Sequence, residues 1–493
     1  MKDATGRLQI QLHRQPEGLG VEILSSRLTG ASRVFLGKTL AETVRTLPSL
    51  FSVCATAQSA ACVAAGEAAL GILPHPRARL ARLLLVDLET VREHLWRLLL
   101  DWPRFLGEGP RGPAMAQVMG ACDRLRASLA SQAYPFQPGA GTTNCHGGSA
   151  TPQMMKVPAA VFHAKVMGPE MSSAGLALAS LTEIGTRQVL GQPPDDWLAD
   201  TKTALALDHW ARSGDTPAAR LLRLVRDQGW GALGRSSVPI LPPLTLAALD
   251  AHLGSAGAAA FIAAPLWRGA PAESTPYARQ LAQPLVSDLA RTLGNGLLPR
   301  LAAQLVELAA LLAGFPTRLA ALGDLPDTTD PDQGILTEPS RDPPADPDRV
   351  TPAHPDVGRC CNQNPLPTDP DQRILTEPDQ GTPTDPDRRP IAPSAADVED
   401  DLTQALGLRT SAGTGLAQVQ AARGLLVHRI AILDERLTDY RILAPTEWNF
   451  HPQGAAALGL ATLPAADDET LRHLAGLFIT ALDPCVAYDI CID

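Results

Sequence analysis

No basic arm or stripe runs through the chain, no apolar leader opens it, and no long hydrophobic stretch passes without a polar interruption. The 42 basic side chains face 52 acidic ones, a formal charge of −10, which argues against a nucleic-acid footprint and favours solubility. Met1–Arg7 has none of the apolar character of a signal peptide, so a cytoplasmic protein is expected. The longest apolar candidate, Leu297–Phe315, is broken by Arg300, Gln304 and Glu307 and reads as an amphipathic helix, not a membrane span. Phosphate-cradling loops, paired zinc-ligand motifs and nucleophile elbows are all missing, which removes the commonest enzyme signatures. Aromatic residues make up only 4%. Eight cysteines in a long chain without a secretory signal imply reduced thiols, some of them free to bind metal.

What is present is alanine, leucine and arginine at helical spacing. With 493 residues and 45% hydrophobic composition, the chain can bury a large core, and its ordered parts should be mostly helical. Leu8–Leu24 alternates apolar and polar residues around a glycine-containing turn, a small β element. From Leu40 to about Ala130 the apolar period is helical, and it returns from about Met171 to Leu322 between joints such as Leu241-Pro242-Pro243. Beyond Asp397 a helix is expected, then a strand from Gly424 to Leu433, and a last helix at about Asp468–Leu482. Cys62 and Cys122 fall on apolar helical faces and belong in the core, and His94 and His428 read as structural histidines.

Between Asp324 and about Pro393 the composition turns to Pro, Asp, Thr and Gln, too polar to bury a core of its own. Thr329–Pro339 recurs there as Thr368–Pro378, a duplicated Thr-Asp-Pro-Asp-Gln-x-Ile-Leu-Thr-Glu-Pro. The expected organisation is therefore one domain written in two parts, 1–322 and 395–493, around a disordered linker at 323–394. Cys360-Cys361 in the linker could capture a metal but read first as incidental residues of a repeat-expanded insert, and Cys145-His146 in a glycine-rich loop carries metal-capable atoms although adjacent residues chelate one ion poorly.

The chemistry concentrates at the two ends. Asp483-Pro484-Cys485-Val486-Ala487-Tyr488-Asp489-Ile490-Cys491 resembles the close of a [NiFe]-hydrogenase large subunit, Asp-Pro-Cys-x-x-Cys-x-x-His, with Tyr488 at the second cysteine and Cys491 at the histidine. Phe51-Ser52-Val53-Cys54-Ala55-Thr56-Ala57-Gln58 resembles the family's Cys-Gly-x-Cys-x-x-x-His, with Phe51, Ser52 and Gln58 replacing its first cysteine, glycine and histidine. Arg423-Gly424, His428, Tyr440 and Pro445-Thr446-Glu447-Trp448-Asn449 resemble the run Pro-Arg-Gly, His, Tyr, Pro-Ser/Thr-Thr-Trp-Asn.

That pattern looks like the HupK/HoxV type of [NiFe]-hydrogenase maturation protein, whose kinship implies an α+β, predominantly α-helical, large-subunit-like fold with a disordered insert. It also implies a non-catalytic scaffold that assembles or holds an Fe(CN)2CO unit for delivery to the hydrogenase large subunit. Cys54, Cys485 and Cys491 are then the metal candidates, and Arg423, Pro445 and Thr446 the residues facing the diatomic ligands, because guanidinium and hydroxyl donors suit cyanide nitrogen. Two of the four thiolate positions are lost, so nickel is not expected. The implied partners are a HypC-type chaperone and the large-subunit precursor. The short tail after Cys491 resembles a terminus already processed. Two alternatives stay open: a divergent nickel-iron oxidoreductase, and a metal-free chaperone that mimics the large subunit.

Overall fold

A computed structural model describes residues 6–140, 173–325, 407–464 and 467–493. The duplicated segment, Cys145-His146, Cys360-Cys361 and nearly all of the expected linker lie outside the described residues.

β1 (Arg7–Gln15) and β2 (Gly18–Ser25) form an antiparallel hairpin in which Leu8, Ile10 and Leu12 point inward at every second position. The far end of the chain completes this sheet. β7 (Ala487–Ile492) lies parallel to β1, from Arg7 opposite Ala487 to Leu12 opposite Ile492, giving the order β2-β1-β7. The expected reading of the tail contained no strand, and this pairing decides where Tyr488 and Cys491 go.

Helices follow. α1 (Leu40–Leu50) starts on a reciprocal cap, in which the Thr39 hydroxyl accepts from Glu42 N at 3.2 Å and the Glu42 carboxylate accepts from Thr39 N at 2.9 Å. α2 (Ala55–Leu70) is alanine-rich and buried on nearly every side. α3 (Pro76–Trp96) and α5 (Ser173–Gly185) pack on α6 (Leu297–Asp324), α4 (Gly112–Ala133) packs on α3 and α5, and shorter helices fill Pro194–Leu293.

α6 is long and apolar enough to cross a membrane, yet it is a core helix: residues 297–309 are all buried within the protein. Its interrupting polar groups find partners inside the fold. Arg300 pairs with Glu273, Gln304 donates to the Ala481 carbonyl at 3.1 Å, and Glu307 receives His94 and Arg279 at 2.7 Å each.

The second sheet is an antiparallel meander, β3 (Leu408–Ser411), β4 (Thr414–Ala421), β5 (Gly424–Leu433) and β6 (Arg436–Leu443). β5 has the expected bounds. β3 and β4 replace the helix expected before it, for a packing reason: α2 lies so close that a Cβ on Gly415 would stand 2.2 Å from the Ala65 carbonyl oxygen. Gly415 serves sheet-to-helix contact, although the Leu, Ala and Gln residues that follow it suggest a helix. The β5–β6 turn, Asp434-Glu435, has both φ positive at 48° and 62°, as a two-residue hairpin matching strand twist requires. α7 (Pro445–Asn449), α8 (Ala455–Ala461) and α9 (Asp468–Leu482) close the fold, α9 capped by the Asp467 side chain.

Candidate metal-unit site

Two chain reversals bring the terminal sulfurs to one cavity. Cys54 precedes the first turn of α2, while Cys485 follows α9 after Asp483, whose φ of 52° ends the helix in a left-handed cap. Both line a cavity of about 70 Å³ bounded by Arg27, Phe51, Arg423, Pro445 and Val486. Burial pushes the Cys54 thiol up to about 12, helped by the charges of Cys485 and Glu89. Cys54 is thus protonated at neutral pH, and a metal that binds it must displace the proton. Glu89 takes the amides that open α2, Thr56 N at 2.7 Å and Ala57 N at 3.1 Å, so the helix end gives Cys54 no anion-stabilising field.

Arg423 is buried and reaches the cavity wall. Its Nη2 donates to Glu93 Oε2 at 2.9 Å, and its Nε lies 3.4 Å from Asp483 Oδ1, whereas Nη1 has no partner among the described residues. Burial alone would lower its pKa, but Asp483 and Glu93 outweigh that and raise it. A permanently charged donor thus stands over the cavity with capacity to spare.

The matched sequence runs prove to be one structural unit. Asn449 Nδ2 donates to the Arg423 carbonyl at 2.9 Å and its Oδ1 accepts from Ser274 N at 2.8 Å, while the Ser274 hydroxyl accepts from Leu425 N at 2.8 Å. Gly424, at φ 129°, passes so near that a Cβ would lie 2.0 Å from the Ser274 carbonyl oxygen. Gly424→Ala is therefore expected to cost more than about 1 kcal/mol of stability, read as a lower urea midpoint at unchanged slope. An unaltered midpoint would mean that Ser274 yields freely.

The other expected site residues divide. Pro445 forms part of the cavity wall. Thr446 is buried and does not border the cavity; its hydroxyl meets Cys485 Sγ at 2.9 Å. Cys491 is not brought to the other two sulfurs: it is exposed on β7 opposite Gln11 and borders no part of the cavity, because β7 runs extended away from Cys485. Tyr488 borders a neighbouring groove, with its hydroxyl 3.4 Å from Arg104 Nη2. Among the described residues no three metal-capable side chains converge.

Sequence reading missed Arg27 and Glu93, which no motif marks. It also missed Glu447, whose only signal is a carboxylate where the matched run has threonine. Gln58, at the family's histidine position, retains a donor toward sulfur: its amide nitrogen lies 3.7 Å from Cys54 Sγ and its oxygen 2.9 Å from His428 Nε2. His428 Nδ1 lies 3.0 Å from the Tyr440 hydroxyl.

The fold has known counterparts. No protein-family profile matches the chain. Among solved structures it is similar to the Ni-Fe-Se hydrogenase of D. vulgaris Hildenborough, with a TM-score of 0.51 and 13% identity over 96% of this chain and 94% of that one. The reduced Ni-Fe-Se hydrogenase of Desulfomicrobium baculatum gives 0.52 and 12% over 96% and 95%. The chain therefore has the [NiFe]-hydrogenase large-subunit fold, as the terminal motifs led us to expect.

Among curated proteins it is similar over its whole length to the hydrogenase expression/formation protein HoxV of Cupriavidus necator, 26% identical over 99% of this chain and 95% of that one. HupK of Rhizobium leguminosarum matches at 45% over 82 residues, 16% of this chain and 22% of the relative. The chain is thus a relative of the HoxV and HupK proteins.

Proposed function

We propose that the chain acts in [NiFe]-hydrogenase maturation as a non-catalytic scaffold that holds the Fe(CN)2CO unit as cargo on its way to the hydrogenase large subunit. The names of its relatives, hydrogenase expression/formation proteins, support the maturation role. The observation that carries the cargo is the cavity: two sulfurs, an apolar wall and the Arg423 side chain, which keeps one buried nitrogen unpartnered, with no third metal-capable side chain converging there among the described residues. A bare ion needing four protein ligands is poorly served there, whereas an iron that brings three ligands of its own needs few. Cys54 and Cys485 would hold the iron, Arg423 would donate to a cyanide nitrogen, and Pro445 and Val486 would enclose the carbonyl. Donors and recipients are then a HypC-type chaperone and the large-subunit precursor, in the cytoplasm.

Infrared spectroscopy tests this on protein purified anaerobically from a host that expresses the maturation system. Cyanide and carbonyl stretching bands are expected, lost in Cys54→Ala and in Cys485→Ala and unchanged in Cys491→Ala. Clean protein without bands sinks the proposal. Stoichiometric nickel with hydrogen-dependent dye reduction would replace it with a divergent oxidoreductase.

A further inference from the structure

We propose that Arg27 closes the Cys485 sulfur to bare divalent cations, leaving it open to one metal unit without net charge. Arg27 follows β2, and its side chain is 13% exposed. Its Nη1 donates to Cys485 Sγ at 2.9 Å and its Nε lies 3.0 Å from Glu447 Oε1. On another side of the same sulfur stands the Thr446 hydroxyl, also at 2.9 Å. A thiolate has three lone pairs. While both hydrogen bonds persist, one lone pair is left, enough for a terminal bond to one metal and too few for a bridge between two.

Charge reinforces the count. Guanidinium does not lose its proton in a protein, and a dication on the same sulfur would sit within a few ångströms of it in a poorly screened interior. Arg27 cannot swing aside cheaply, because Glu447, 8% exposed and with Oε2 already unpartnered, would be left as a lone buried charge. Ferrous iron with two cyanides and a carbonyl has no net charge, whereas bare nickel, cobalt or zinc brings two positive charges to thiols for which it has high affinity. The pair thus discriminates by charge. It depends on Glu447, placed where the matched run has threonine.

The inference rests on the proposed cargo site only through Cys485, and its test needs no iron unit. Anaerobic Co2+ titration of the purified full chain, followed by sulfur-to-cobalt charge-transfer absorption, should show no Cys485-dependent band in the wild type. The uncharged pair Arg27→Gln/Glu447→Gln should bind Co2+ at least about tenfold more tightly, and adding Cys485→Ser should abolish the gain. A wild-type band that disappears in Cys485→Ser overturns the inference without any charge variant having to fold, and so does an unchanged affinity in the double variant. Absent infrared bands would remove the cargo and leave this result standing.

Discussion

Glu273→Ala will destabilise the fold by about 3–5 kcal/mol, the cost typical of stranding one partner of a buried ion pair. Glu273 and Arg300 are both fully buried and joined bidentately, Nη2 to Oε2 at 2.7 Å and Nε to Oε1 at 2.9 Å. Arg300 also donates to the Gly234 carbonyl at 3.1 Å, and its guanidinium stacks over Phe478 at 5.1 Å. With Glu273 gone, the cation on α6 stays buried without the carboxylate that pairs with it. The loss reaches the cavity, because the next residue, Ser274, braces Gly424 and Leu425. Urea unfolding measures it, and Glu273→Leu/Arg300→Met should recover at least half of the deficit by removing both charges. A single variant costing under about 1 kcal/mol, or a double variant no better than the single, would show that the pair is not the anchor of this loop.

The same anchoring explains which parts were legible in the sequence. β5 and α9 were, because a β-branched run and a capped amphipathic segment are local signals, seen in Val427–Ile432 and in Asp467 before Leu471. The site was legible where sequence neighbours stay together: Arg423-Gly424 and Trp448-Asn449 are separate motifs that one asparagine ties into a single wall. β3 and β4 were hidden because the Leu, Ala and Gln residues of Leu416–Ala421 are good helix formers, while the glycine that lets the strand lie on α2 is a single weak mark. Cys491 misled because ligand spacing was taken from a motif, whereas parallel pairing with β1 draws that residue away along a strand. Arg27 and Glu93 had no local mark, since their roles come from partners 458 and 330 residues away.

Acid should weaken the wild-type fold through His428, and by more than any surface histidine could. The ring is buried, and desolvation lowers its pKa from 6.5 to about 3. Neutral imidazole protonated at Nε2 satisfies its surroundings, donating to Gln58 Oε1 and accepting at Nδ1 from the Tyr440 hydroxyl. A second proton, on Nδ1, would force the Tyr440 hydroxyl to turn from donor to acceptor and would leave a charge in a desolvated site. The unfolded chain takes up that proton near pH 6.5 while the folded chain refuses it down to about 3, so the unfolded state binds more protons throughout the interval. Stability is therefore full above pH 6.5 and falls as pH drops through the window, by about 1.4 kcal/mol per pH unit from this residue. His451 and His473 are also lowered by burial and add to the slope in any variant that retains them. The comparison that isolates His428 is wild type against His428→Gln, which keeps a donor and an acceptor but does not titrate. Urea midpoints from pH 7 to pH 5 should fall more steeply for wild type, by about one proton's worth. Parallel slopes would mean that the histidine is reached by water and charges in place. In that case the chain of contacts from Tyr440 through His428 and Gln58 to Cys54 would not hold the first cysteine rigid, and the cavity would lose one of its two fixed sulfurs.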